Sequence, residues 1–377
     1  MAVARESNID MLAHKLGIDP LEIRMKNAVG PGHLSPTGAP IPHEWMRDTL
    51  QAAAKAARWG KRRLKKNQGV GIACGDWRNG SGATNAFVTV AGDGSVSVLT
   101  GQVDITGLHT VMAQIVAEEL HIPVEKVNVT LGDTDKVPYT SLSAGSKAAF
   151  TAGTAARRAG ESAREQLLQL GAELLEASES DVVIGDEQVS IAGSPERSVS
   201  FAEIADTANG SANGPILGSS VVGSIPSYPS YAVNIATVEV DTETGSIKLI
   251  DLVAAQDVGR ALNPMLVEGQ VEGGAIQSVA YGLMEGMVYD SDGRMRNPNL
   301  LDYAIPTIGD VPKVKTVLVE QGCDTGPYGA KGVGEPPIIP GAAAIINAVY
   351  DAVGVRVTEI PITAERLMKA LKEKEGE

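Results

Sequence analysis

One carboxylate, Glu335, stands inside the stretch GPYGAKGVGEPP at 326–337, where almost every other residue controls the backbone. Gly326, Gly329, Gly332 and Gly334 can take positive φ or lie flush against a ligand, and Pro336 and Pro337 fix φ just after the acid. A carboxylate held in this way is aimed, as a general base must be; a solvated Glu in a Gly/Pro surface turn is the other reading of the same residues. The segment that follows, IIPGAAAIINAVYDAVG, carries small and apolar residues at helical spacing. It predicts a buried helix with Glu335 near the positive end of its dipole.

The elements that must position this loop alternate between the two periods. Residues 6–27 read as a helical pair: Ile9, Leu12, Ala13 and Leu16 follow the i, i+3, i+4, i+7 pattern and Gly17 breaks it. Asp19-Pro20-Leu21-Glu22 then supplies a cap, a proline at the first helical position and a first-turn acid. A Gly/Pro-rich linker covers 28–44, and 45–66 reads as a helix with a basic end. From residue 69, GVGIACGDW and AFVTVAGDGSVSVLTGQVD read as strands, with a hairpin turn at Asp93-Gly94. Thr110 is expected to cap a helix over TVMAQIVAEELHI, KVNVTLGDTD returns as a strand, and 151–177 reads as a long helix. VVIGDEQVSIAG is a hairpin, Ser200 and Glu203 form a capping box, 219–229 is a loop, and YAVNIATVEVDTETGSIKLIDLVAAQD is the clearest hairpin in the chain.

Composition narrows the function. A chain of 377 residues suffices for two or three domains or subdomains. Aromatics make up 4%, Gly contributes 42 residues and the net charge is -14, a balance against nucleic-acid binding, which needs clustered cations and stacking rings. The basic run KRRLKK at 61–66 reads as a solvated helix end or a contact for an acidic partner. Cys74 and Cys323 cannot supply the four ligands of an iron–sulfur cluster or a disulfide framework, so free buried thiols are expected. His109, in GLHT, has no His or Cys at ligand spacing and reads as a helix-start histidine; no metal-ligating set is predicted. MAVARESNID lacks the apolar core of a signal peptide, and with no run of about 18 apolar residues a soluble, cytoplasmic protein is expected.

GAKGVGEPP, then AAAIINAVYDAVG, then EIPITAERLMKAL closely resembles the C-terminal end of the molybdenum-binding subunit of the xanthine dehydrogenase and aldehyde oxidase family. The general base that the family carries beside its molybdenum centre falls on Glu335. Four further segments resemble the family in the same order: ESNIDMLAHKLGIDPLEIRMKNAV, TGQVDITGLHTVMAQIVAEELHIP, GDTDKVPYTSLSAGSKAAFTAGTAA and DVGRALNPMLVEGQVEGGAIQSVAYGLMEG. Together they span nearly the whole chain. A pterin dinucleotide offers a pyrophosphate and many ring donors and acceptors, which backbone N–H groups of Gly-rich turns hold well. Gly107, Ala144, Gly145 and Ser146 suit that task, Gln270 and Gln277 add amides that donate and accept, and Lys331, Gly332 and Gly334 complete the implied cofactor set. Asp257, Arg260 and Asn263 read as loop-fixing residues. Many relatives have Gly-Gln where this chain has Ile105-Thr106, so the shorter Thr106 hydroxyl would replace only part of that contact.

The resemblance implies a mixed α/β fold of two lobes closing over an extended cofactor. Residues 1–67 would be a helical segment completing the first molybdopterin-binding domain of a partner chain, and 68–377 the second such domain, with two subdomains. The implied activity is hydroxylation of an electron-poor carbon of a purine- or nicotinate-like N-heterocycle with water-derived oxygen; aldehydes, an aromatic thioester, or a non-catalytic scaffold role are the alternatives. The implied cofactor is molybdopterin cytosine dinucleotide with molybdenum, shared with an N-terminal molybdopterin-binding chain, with iron–sulfur clusters and FAD on further subunits. The family's GGFGGK and FRGFG segments do not occur here. A naturally split subunit, as in some nicotinate dehydrogenase-like enzymes, is therefore expected ahead of a fragment.

Overall fold

A computed structural model of the chain describes residues 1–35, 38–212 and 214–376. In chain order the first elements are α1 (Ala2–Leu16), α2 (Pro20–Asn27), α3 (Trp45–Ala57), β1 (Gln68–Arg78), β2 (Thr84–Val90), β3 (Val96–Thr100), α4 (Leu108–Leu120) and β4 (Val127–Leu131). The middle holds α5 (Gly153–Leu174), β5 (Val182–Gly185), β6 (Gln188–Ile191), β7 (Ser194–Ser200), α6 (Phe201–Asn209) and β8 (Ile216–Val222). Last come β9 (Pro229–Val240), β10 (Ile247–Asp257), α7 (Pro264–Leu283), β11 (Val314–Val319), α8 (Gly341–Val353) and α9 (Ala364–Gly376). The fold is mixed α/β, as expected. It divides into two compact units: unit 1 contains Met1–Arg78, Pro229–Gln321 and Val333–Glu377, and unit 2 contains Asn79–Tyr228 and Gly322–Gly332.

Unit 1 is built on the sheet β1-β9-β10-β11, antiparallel except for the β10–β11 pair. Strict alternation sends Ile72, Cys74, Val233, Ile235, Val253 and Ala255 to one face, against Leu50, Ala53 and Ala57 of α3. Ala73, Ala236, Val238, Leu252 and Ala254 go to the other, against α7 and α8. On that second face β1 carries glycines, and each is needed. A Cβ on Gly69 would lie 2.2 Å from the Ala348 carbonyl oxygen, and one on Gly71 would lie 2.2 Å from that of Ala344. The helix α8 thus rests directly on strand backbone, with Ala342 to Ala344, Ile345 and Ala348 sealed from water.

Unit 2 repeats the device on the sheet β4-β3-β2-β8, where a Cβ on Gly218 of β8 would lie 2.0 Å from the Ala159 carbonyl oxygen of α5. A separate three-stranded sheet, β5-β6-β7, leads into the Ser200–Glu203 capping box that the sequence announces.

Several expectations shift. The helix read over 45–66 stops at Ala57, capped by Arg58 at φ 56°, because the basic run is drawn elsewhere: Arg62 donates to Ala57 O at 2.8 Å and Thr237 Oγ1 at 2.7 Å and pairs with Asp251. Helix α4 begins at Leu108 after Gly107 at φ 77°, before the expected cap Thr110. Part of the expected 219–229 loop is strand β8. The run Pro336–Val353 does reach a mean hydropathy of 1.2 over 18 residues, and 67% of it is buried as a core helix. Residues 1–67 do not separate at residue 67; they cluster within unit 1, where Glu6 accepts from Arg24 Nε at 3.0 Å and from the Cys74 amide at 2.9 Å, tying α1 to α2 and β1. Both cysteines are free, Cys74 buried and Cys323 only half-buried.

Replacing Gly71 with Ala forces its Cβ into the α8 backbone, which cannot rotate away as a side chain could. Denaturant unfolding of Gly71→Ala should show a loss of about 1–3 kcal/mol or more, the cost of overpacking; an unchanged midpoint would mean that α8 does not lie where described.

Candidate functional site

In unit 1 the site is a loop pressed onto the sheet. Glu335 is half-buried with φ −89° and ψ −28°, and it precedes a 3-10 turn, Pro336–Ile338. Helix α8 starts only at Gly341, so the acid stands six residues before the helix, whereas the spacing predicts it at the positive end of the helix dipole. The two prolines make the difference, since they shape a turn of their own before α8 can begin.

Both flanks of Glu335 are held by fully buried carboxamides. Gln256 Nε2 donates to the Val333 carbonyl at 3.3 Å, and Asn234 Nδ2 to the Pro337 carbonyl at 3.5 Å. Asn234 pairs across the ladder with Ala254, two residues before Gln256, so both amides project from the same sheet face. Tyr281 Oη adds a hydrogen bond to Ile338 O at 2.8 Å, and the Ser278 hydroxyl accepts from the Ala342 amide at 2.9 Å. On α7, Gln270, Gly274 and Gln277 share one stripe at i, i+4 and i+7. Gly274 touches Pro337, where a Cβ would sit 2.8 Å from the proline ring, so the stripe runs beside the Glu335 loop. Gln277 is exposed and Gln270 half-buried. Asn263 caps α7 by accepting from Leu266 N at 3.2 Å, and Asp257 accepts from Gly259 N at 3.2 Å, the loop-fixing tasks expected of them.

In unit 2 the expected cofactor residues occupy two strained turns. Thr106 and Gly107 have φ 65° and 77°, and Gly145 and Ser146 have 74° and 57°. Positive φ is costly for a β-branched threonine and unusual for serine, and strain of this kind concentrates where backbone N–H groups are presented to a ligand. His109 lies in the first turn of α4, its amide donating to Asp104 Oδ1 at 3.0 Å. Ala144 is exposed and lies over Gly80, whose amide donates to Gly145 O at 2.6 Å. Gly332 packs flush on Ser146: a Cβ there would lie 2.2 Å from Ser146 O. Its amide donates to Asn79 Oδ1 at 3.1 Å, and Lys331 beside it is buried.

The loop that carries Lys331 is locked at Tyr328, a non-glycine residue at φ 52°. Its hydroxyl donates to Glu119 Oε1 at 2.6 Å, Arg157 Nε donates to the same oxygen at 3.1 Å, and the Arg157 guanidinium lies 4.7 Å over the tyrosine ring. Burial, then Glu119, pushes the Tyr328 phenol well above its ordinary pKa. Positive φ falls on Gly326 and Gly329, whereas Gly332 serves by close approach. Gly334, half-buried, is the residue before Glu335.

The family model of the molybdopterin cofactor-binding domain matches residues 45–312. The chain belongs to that family. Among its relatives, a xanthine dehydrogenase molybdenum-binding subunit of Escherichia coli O157:H7 is 34% identical over 383 residues, covering 97% of this chain and 51% of the relative. The nicotine 6-hydroxylase large subunit of Paenarthrobacter nicotinovorans is 31% identical over 404 residues, with 98% and 49% covered. The crystal structure of quinoline 2-oxidoreductase from Pseudomonas putida 86 superposes with a TM-score of 0.88 at 30% identity, covering 99% of this chain and 52% of that one. The chain thus spans about half the length of these relatives.

The residues present suit a molybdopterin cofactor. Unit 2 offers two positive-φ turns and a buried, unpartnered donor, Asn79 Nδ2, as a ligand rich in acceptor oxygens and nitrogens requires. Asn79, Asn234 and Gln256 escape sequence reasoning, because single amides inside or beside apolar strands carry no spacing signal. If the Gly332–Ser146 contact shapes the molybdopterin-binding turn, Gly332→Ala should push Ser146 aside and lower pterin content several-fold in protein that remains folded by circular dichroism. Unaltered pterin content would reduce the contact to packing.

Proposed function

We propose that this chain is the C-terminal part of the molybdenum-binding subunit of a hydroxylase acting on an electron-poor carbon of an N-heterocycle. Its cofactor is molybdopterin cytosine dinucleotide carrying molybdenum, held jointly with an N-terminal molybdopterin-binding chain, while iron–sulfur and FAD subunits take the electrons onward. The observation that carries the reading is the mounting of Glu335: a carboxylate on a loop fixed two residues before by Gln256 and two residues after by Asn234. A general base must meet a reacting proton at hydrogen-bond range, and a loop held on both sides of the carboxylate serves that need.

When bound, the molybdenum group supplies the two-electron oxidation. The protein's part is to hold and move a proton. Glu335 takes a proton from the water-derived oxygen nucleophile as it attacks carbon, and its rigid flanks keep the carboxylate from swinging out to solvent. The strained turns at Thr106-Gly107 and Gly145-Ser146 offer backbone N–H groups to the pterin and its phosphates, and Gln270 and Gln277 bind ring edges as donor and acceptor at once. The heterocyclic substrate class is supported by the names of the relatives, since xanthine, nicotine and quinoline are all N-heterocycles.

Glu335→Gln preserves shape and removes basicity. In the assembled enzyme turnover should fall by about two to four orders of magnitude while molybdenum and pterin content stay at the wild-type level. Activity within a few-fold of wild type would remove Glu335 from the chemistry.

A further inference from the structure

Helix α1 buries its acids and shows its leucines. The face it turns to the body of unit 1 carries Glu6, Asp10 and Ala13, which are 1%, 2% and 0% exposed. The two carboxylates are tolerated there because cations answer them: Arg24 Nε donates to Glu6 Oε2 at 3.0 Å, and Arg356 pairs with Asp10. Ile9, Leu12 and Leu16 form a separate stripe at i, i+3 and i+7, and Leu12 and Leu16 are 49% and 57% exposed. Buried charge and bare leucine on one helix mark a surface that a second body covers.

The stripe borders a cavity of about 470 Å³ lined by α1, α2, α3 and the ends of β1 and β9. Its walls are mainly apolar, from Ile9, Leu12, Ile23, Val29 and Met46. The polar part is Arg5, Asp76 and Tyr231. Arg5 is pinned there, its guanidinium 3.4 Å from Asp76 Oδ1 and donating to Cys74 O at 3.1 Å. Tyr231 is 6% exposed, and among the described residues its hydroxyl has no hydrogen-bond partner. Burial, then Asp76 and Asp257, pushes this phenol up to about 12, so it stands as a neutral donor and acceptor. A buried hydroxyl with nothing to bond, set in an apolar cavity, is answered by a group that enters from outside.

Leu16 lies outside the cavity lining, so a small molecule in the cavity would leave it bare; a polypeptide covers both. The relatives supply the candidate, since this chain covers only 51%, 49% and 52% of their lengths. We propose that α1 and the cavity beside it are the seat of the chain that matches the other half of these relatives' length. An apolar side chain of that partner enters the cavity, a polar group bonds the Tyr231 hydroxyl, and the flanking segment covers Leu12 and Leu16. The partner's identity rests on the function proposed above; the assignment of α1 as an interface does not. Cys74 and Asp76 face this cavity while Gly75 between them seats Ile339, so the partner lies across the sheet from the turn that follows Glu335.

The test is coexpression with a chain that matches the other half of the relatives' length, followed by affinity capture on this chain and gel filtration. The wild-type pair should copurify in equal amounts, and the amides of α1 should exchange with deuterium at least about tenfold more slowly in the pair than in this chain alone. Leu12→Glu, which sets an unpaired charge in the seat, should lower the captured partner at least about tenfold without altering the circular dichroism of the free chain. Leu12→Met keeps the apolar contact and should capture as wild type does. A Leu12→Glu chain that captures the partner normally, or α1 amides that exchange no more slowly in the pair, would overturn the seat and leave the molybdenum reading untouched. A wild-type chain that captures no such partner would overturn the seat and the shared-cofactor reading together. A free chain that dimerises, and that Leu12→Glu returns to monomers, would make a second copy the occupant and overturn the proposal as well.

Discussion

The contact on which unit 1 depends is the direct seating of α8 on β1. Gly69 and Gly71 leave no side chains between strand and helix, and Gly75, where a Cβ would lie 2.5 Å from Ile339 Cγ2, extends the same flat surface under the turn that precedes α8. With the helix fixed at backbone distance, the Glu335 loop has one way to enter it. Interiors packed this closely transmit position and tolerate little drift. Aiming a carboxylate is thus achieved by strand glycines far from it in sequence.

Polar groups then refine what packing sets. Asn234 and Gln256 are costly to bury, and each recovers part of that cost on a main-chain carbonyl beside Glu335. Unit 2 instead holds Thr106, Ser146 and Tyr328 at positive φ. Tyr328 is answered within the protein by Glu119 and Arg157.

What the sequence disclosed followed from spacing. The Glu335 loop, the Ser200–Glu203 box and the β9–β10 hairpin are legible because each depends on residues a few positions apart. The start of α4 is misread at Thr110 because a glycine at φ 77° can open a helix without a side-chain cap. The end of α3 is misread because Arg62 is claimed by Thr237 and Asp251, partners that no local pattern foretells. Asn234, Gln256 and Asn79 stay hidden for the same reason: their hydrogen-bond partners lie tens or hundreds of positions away. The GVGIACG run reads as a strand from its sequence; that its glycines are a seat for α8 emerges only from the packing.

The central claim is that this chain holds a molybdenum pterin cofactor together with a second chain. Coexpression with a chain that matches the other half of these relatives' length, followed by molybdenum analysis and pterin quantification on the purified complex, tests it directly. Equimolar molybdenum and pterin per 377-residue chain is the expected result. A stable, folded complex from cofactor-producing cells that contains neither would contradict it.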